Sequence, residues 1–249
     1  EAVGVVRAGA GPMYETNVIR VSYTSPLTPN STYDYDLSTR AKTLLKRQEV
    51  PSGFDFDRYV VERIDAVAPD GVRVPVTILR CKDNPMDGSA PALLYGYGSY
   101  GANMDPYFGI FRNYGSLLER GFTVAIAHVR GGGEMGRHWK EDGKFLKKMN
   151  SFTDFIACAE ALFSEGYTSP DRLAITGGSA GGLLVGAVIN LRPDICAVTI
   201  AEVPFVDSLN TMLDETLPLT TFEYEEWGNP NEEVYYRYMR SYAPYEQVG

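Results

Sequence analysis

The stretch Gly177-Gly178-Ser179-Ala180-Gly181 sets one hydroxyl between two pairs of small residues, with the apolar run "RLAIT" before it and "LLVGAVINL" after it. A buried strand that turns sharply into a helix lifts the residue at the turn clear of both, and the close backbones leave room only for glycine two residues to either side. Ser179 is therefore a candidate nucleophile. The Ala180 N–H, at the start of the helix, points where an oxyanion would form during attack on a carbonyl. The plainer alternative is a glycine-rich turn with a bystander serine. A nucleophilic serine needs a base, and behind such an elbow an acidic residue and then a histidine follow in the chain. Both histidines, His128 and His138, precede Ser179. His128 ends a continuous apolar strand and reads as a packed core residue, whereas His138, beside Trp139, reads as surface or pocket lining. A second cluster is "TTFEYEEWGNP", with three glutamates in four positions. By charge alone it is a solvated acidic loop. If extended, it puts Glu223 and Glu225 on one side and Tyr224 and Glu226 on the other, with Phe222, Tyr224 and Trp227 as apolar walls for a long cationic side chain. Tyr97, in "LLYGYGSYG", reads on its own as an aromatic packed at a strand end.

The elements that would carry these residues fall into two patterns. Residues 1–55 hold short β-branched and aromatic runs, "NVIRVSYTS" and "STYDYDLST", parted by "PLTPN", and "AKTLLKRQEVP" continues the meander. Two further strands, "YVVERIDAVA" and "VRVPVTIL", flank the turn Pro69-Asp70-Gly71. From Pro91 onward strands and helices alternate: "ALLYGYG", then a helix stopped by Gly121, then "FTVAIAHV", apolar throughout as a strand buried on both faces must be. Phe152, Phe155, Ile156, Ala159, Leu162 and Phe163 keep helical spacing. "RLAITGG", "AGGLLVGAVINL" and "CAVTIAEVP" follow as strand, helix and strand, and "EEVYYRYMRSY" reads as a helix. The fold class is α/β, with a mostly parallel sheet covered on both faces. Gly96-Gly98-Gly101 and Gly131-Gly133-Gly136 match G-x-G-x-x-G, but no apolar helix opens inside either, so no dinucleotide is expected.

Composition narrows the functional class. A net charge of −9 disfavours nucleic acid and anionic membranes as partners and leaves room for cationic ligands. Three widely spaced cysteines, Cys81, Cys158 and Cys196, make neither a disulfide framework nor a zinc pattern. Neither a signal peptide nor a run long enough to span a bilayer is apparent, and the expected location is the cytoplasm.

From about Phe54 onward the sequence resembles the prolyl oligopeptidase family of serine peptidases, in its oligopeptidase B branch. The resemblance is carried by "LLYGYGSYG", "VRGGGEMGRHW", "FTDFIACAEAL", "GYTSPDRLAITGGSAGGLLVGAVINLRPD" and "PLTTFEYEEWGNP". It implies an α/β-hydrolase domain capped by a β-propeller, with residues 1–55 as the end of the propeller and 56–249 as the first part of the catalytic domain. It also implies that the triad aspartate and histidine lie beyond Gly249, since Asp194, Asp207 and Asp214 match no family position. Ser179 would then be the nucleophile, with Tyr97 completing an oxyanion hole beside the Ala180 amide. Glu223 and Glu225 would select Arg or Lys on the acyl side of the cut, and Phe205 would stack on that side chain. The implied substrates are short basic peptides, with no cofactor and no metal. The 249 residues alone would be an inactive, poorly folding fragment. Two other readings of the elbow are an esterase- or lipase-like hydrolase and a non-catalytic binding protein that keeps the fold.

Overall fold

The computed structural model describes residues 3–9, 11, 13–51 and 53–248. The first sheet is an antiparallel meander of β1 (Val5–Gly9), β2 (Val18–Thr24), β3 (Ser31–Asp36) and β4 (Lys42–Arg47), paired in that order. Alternation sorts its side chains: Tyr33 of β3 faces inward and is buried, while Arg20 of β2 pairs with Asp34 across the strands at 3.0 Å on the solvent side. β1 was not foreseen in the sequence. It is short and mostly exposed, and it lacks the apolar alternation that marks the other strands.

The second sheet holds, among the described residues, β5 (Tyr59–Val67), β6 (Arg73–Cys81), β7 (Ala92–Gly96), β8 (Thr123–Ala127), β9 (Leu173–Gly178) and β10 (Val198–Glu202) in the order β10-β9-β7-β8-β6-β5. β5 and β6 form a hairpin closed at Gly71, where φ is +85°, and β6 runs antiparallel to β8. The other pairings are parallel. Period-two alternation along β8 sends Val124 and Ile126 to one face and Ala125 and Ala127 to the other, and both faces are buried. Helix α1 (Gly109–Leu118) covers the first face through Ile110 and Leu118. After the short helix α2 (Arg137–Glu141), α3 (Met149–Ser164) and α4 (Ala180–Leu191) cover the second through Phe152, Phe155, Leu183 and Val188. Each large apolar side chain buried this way is worth about 1.5–3 kcal/mol. Helices α5 (Ser208–Leu213), α6 (Thr220–Trp227) and α7 (Glu233–Arg240) follow β10, with a 3-10 turn at Pro244–Gln247 after them. Among the described residues no helix is long and apolar enough to cross a membrane.

This strand order fixes where a site can form. The chain leaves β7 for β8 on one side and returns to β9 on the other. The carboxyl ends of β7 and β9 therefore border the crevice where connections depart in opposite directions, the usual ligand position in such sheets. Tyr97 follows β7 and Ser179 follows β9.

Candidate active site

Ser179 sits at φ 55° and ψ −117°, a conformation that L residues rarely adopt and that costs on the order of 1–3 kcal/mol. Its neighbours hold it there. The Ser179 N–H donates to the Glu202 carbonyl (3.0 Å), and the Ser179 carbonyl accepts from Gly182, Leu183 and Phe205 (2.9, 3.2 and 3.1 Å). A Cβ on Gly177 would run into the Gly181 carbonyl, and one on Gly181 would lie 2.7 Å from the Gly96 carbonyl. The two glycines flanking the serine are thus required by backbone-to-backbone approach. The side chain of Ser179 emerges exposed at the amino end of α4, a helix apolar but for Asn190. The Ala180 N–H, in the first position of that helix, has no intrahelical partner.

Tyr97 packs on the elbow, since a Cβ on Gly181 would lie 3.4 Å from its Cα and Cδ2, and burial raises the phenol's pKa above its ordinary value, keeping it a neutral O–H donor. Tyr97, Ser179 and Ala180 thus stand together at the elbow, as the sequence expected. The segment 97–101 then runs into aromatic packing: Tyr97 on Tyr100 (ring centroids 6.2 Å apart), Tyr100 edge-on to Trp227 (5.8 Å), and Trp227 on Phe205 (5.6 Å). Glu223 lies in this cluster. Its Oε2 accepts from the Tyr100 hydroxyl (2.7 Å) and from Trp227 Nε1–H (2.8 Å).

The extended reading of residues 220–227 is corrected: they form helix α6, closed by Gly228 at φ 90°. Residues two apart on a helix lie about 200° apart, so Glu223 and Glu225 do not share a side. Glu225 is exposed, whereas Glu226 and Trp227, three and four residues beyond Glu223, share its buried side. Two of the expected walls are also absent. Phe222 is 79% exposed, and the Tyr224 hydroxyl turns away to the Met212 carbonyl and Glu215. Trp227 and Phe205 supply the apolar surface instead.

Three residues at the site escaped sequence reasoning. Tyr100 holds Glu223. Glu226 is buried and accepts the Tyr100 N–H at 2.9 Å. Lys148, just ahead of α3, is fully buried against Gly98 and Ser99. For Glu226 the signal was available, since the 223/226/227 spacing is that of a helix face. Lys148 carries none, being one of several lysines in a loop.

Neither histidine is directed at Ser179. His128 is buried, with Nε2 against Thr77 Oγ1 (2.8 Å) and Nδ1 against Glu134 (3.4 Å), as a packed core histidine should be. His138 is exposed on α2. Asp194 is engaged by Arg192, Asp207 by Asn210 and Asp214 by Thr216. The two G-x-G-x-x-G segments interlock: Gly101 N–H donates to the Gly131 carbonyl (2.8 Å), and a Cβ on Gly131 would overlap the Gly98 carbonyl. Their glycines serve this packing beneath the site.

The model of the prolyl oligopeptidase family matches residues 110–249, more than half of the chain. The chain is 52% identical over 240 residues to dipeptidyl aminopeptidase BI of Pseudoxanthomonas mexicana, covering 96% of this chain and 33% of that protein. It is 47% identical over 235 residues to Protease 2 of Moraxella lacunata, covering 94% and 34%. The solved oligopeptidase B of Leishmania major superposes with a TM-score of 0.92 at 48% identity, over all of this chain and 34% of that one. The Trypanosoma brucei oligopeptidase B with covalently bound antipain gives 0.92 at 47% identity, over 100% and 35%. The chain thus spans about a third of the length of the curated relatives it matches. With its strained serine elbow and these likenesses, the chain belongs to the prolyl oligopeptidase family.

Proposed function

We propose that the complete protein is a serine oligopeptidase that cleaves short peptides after Arg or Lys. The observation that carries this reading is the strained Ser179 at the carboxyl end of β9, with Tyr97 packed against the same elbow. Ser179 Oγ attacks the scissile carbonyl as a base takes its proton, forming a tetrahedral oxyanion. The Tyr97 O–H and the Ala180 N–H donate to that oxygen. Collapse expels the amine, which takes up the proton, and leaves an acyl-enzyme that water hydrolyses by the same steps. Because both histidines of this chain are turned elsewhere, the base and its orienting carboxylate are assigned to the part of the protein outside these residues.

Selectivity for a basic side chain is supported by Glu223. Both of its bonded donors reach Oε2, so Oε1 is the atom that a guanidinium would meet, beside the paired rings of Phe205 and Trp227. A planar guanidinium gains more from such an acceptor than an ammonium, so Arg outdoes Lys. Glu225, exposed on the far side of α6, is at most a rim charge. We assign residues 1–55 to the last blade of a propeller and 56–249 to the catalytic domain. Support for the division comes from the four-stranded meander, which pairs with no strand of the second sheet. Three free cysteines agree with a cytoplasmic location.

The test is active-site labelling of the full-length protein with a fluorophosphonate, followed by peptide mapping. The adduct is expected on Ser179, and Ser179→Ala should lose turnover by several orders of magnitude, about 10⁴-fold or more. An adduct elsewhere, or normal turnover in Ser179→Ala, refutes the assignment.

A further inference from the structure

Two charged side chains beneath the site are buried almost completely, Lys148 at 1% and Glu226 at 4% exposure. Taking charges out of water is costly unless their partners repay it, so where their bonds go is informative. Lys148 Nζ donates to the Gly98 carbonyl and to Ser99 Oγ (2.9 Å). Glu226 Oε1 accepts the Tyr100 N–H (2.9 Å). The three bonds fall on residues 98, 99 and 100 in succession. The remaining contact of Lys148, 5.2 Å from the ring centroid of Trp227, lies behind the indole whose N–H holds Glu223.

The gripped segment would not keep its shape unaided. Gly98, Tyr100 and Gly101 all have positive φ, at 70°, 62° and 65°, and for Tyr100 that conformation is strained. Two side chains that matter ride on this segment: Tyr97, packed on the elbow at Gly181, and Tyr100, whose hydroxyl holds Glu223.

We infer that Lys148 and Glu226 are positioning residues that grip segment 97–101 from two sides, and so set Tyr97 on the Ser179 elbow and the Tyr100 hydroxyl on Glu223. The inference rests on the peptidase reading above and adds that oxyanion stabilisation and selection of the basic side chain share one support. Neither residue touches the reacting atoms. Each acts through the backbone it holds, and a displacement of about 1 Å at such a donor can cost 10²-fold in rate.

The test is a double-mutant cycle in the full-length protein, assayed at neutral pH on matched peptides with Arg or Phe before the cut. Lys148→Met is expected to lower kcat/KM for the Arg peptide by roughly 10- to 100-fold and to reduce the preference for Arg over Phe. In a Tyr97→Phe background the same substitution should cost the Phe peptide no more than about twofold, because the hydroxyl it positions is gone. Ser99→Ala removes one bond of the grip while keeping both buried charges in place, with Lys148 still bonded to the Gly98 carbonyl. It should act in the same direction, several-fold, with the same masking, and it decides the matter if Lys148→Met does not fold. Equal losses with and without the Tyr97 hydroxyl overturn the inference while leaving the peptidase reading intact. If Tyr97→Phe itself leaves kcat unchanged, the oxyanion role fails and the inference falls with it.

Discussion

Glu223 and Glu225 stand two apart in a run of acids, and the helix gives them different lives. Glu223 is held by a phenol and an indole, both on one carboxylate oxygen, and Glu225 faces water. A hydrogen bond to a charged group is worth about 1.5–3 kcal/mol, or roughly 10- to 100-fold in binding. In the full-length protein, Glu223→Gln is therefore expected to cut the kcat/KM preference for Arg over Phe at least tenfold, and Glu225→Gln to change it less than about twofold. Fluorophosphonate labelling of Ser179 should persist in both. Equal effects of the two substitutions would mean that the acidic run acts as a diffuse charge and Glu223 is no subsite. Lys148 gives a different handle, through pH. Burial pulls its pKa down to about 8 from the ordinary 10.5. Between those values the unfolded chain binds more protons than the folded one, so the contribution of this group to stability rises with pH across that window. Its burial cost is full below about pH 8. The melting temperature of Lys148→Met minus that of the parent should therefore fall as pH is raised from neutrality to about 10. A difference that is flat or grows would show that Lys148 titrates normally in the folded protein.

At the level of elements, legibility followed burial. β8, α3 and α4 could be read from the sequence because their apolar periods answer to a core on a known number of faces, and the β5–β6 turn because Gly71 supplies the positive φ that the turn needs. The elbow was legible for the same reason: Gly177 and Gly181, two residues to either side of Ser179, each answer to a backbone carbonyl that comes too close for a side chain. α6 was not. Thr220, Thr221, Phe222, Tyr224 and Trp227 favour strands by type, and only the burial of Glu226 and Trp227 on one side selects a helix. The overlooked cue was its end, Gly228 followed by Pro230, a helix stop. Lys148 was illegible because its partners, the Gly98 carbonyl and the Ser99 hydroxyl, lie about 50 residues earlier in the chain. The elbow's tolerance is directly testable. In Gly177→Ala the new methyl group meets the Gly181 carbonyl, and relief requires moving α4 away from Ser179. The full-length variant should lose fluorophosphonate labelling rate by about 10²-fold or more and melt at lower temperature. Labelling at the parent rate would show that the close approach is not a constraint on the nucleophile.

On the scale of the whole molecule, the sheet that carries the site ends in an exposed strand. β10 pairs with β9 on one side, and among the described residues no strand pairs with it on the other; Val198 and Ile200 are 52% and 44% exposed. The first sheet ends likewise in β4, with Leu44 and Leu45 open to solvent. Strand edges and apolar side chains left open in this way recruit other chains. The site has the matching feature: neither histidine of the chain is directed at Ser179. Both observations bear on how the 249 residues behave when expressed by themselves. They should self-associate in light scattering at micromolar concentration and show no peptide turnover above background. Fluorophosphonate labelling of Ser179 should be lower by orders of magnitude, about 10³-fold or more, than in the full-length protein, because the oxyanion donors remain while the base is missing. Adding imidazole is the control that separates the two causes. A folded elbow lacking only its base should gain labelling rate with imidazole concentration, whereas a chain whose sheet has collapsed should not respond. A monodisperse monomer that cleaves an Arg peptide would overturn the prediction outright, because His128 or His138 would then have to reach Ser179 from a position that this fold does not give it.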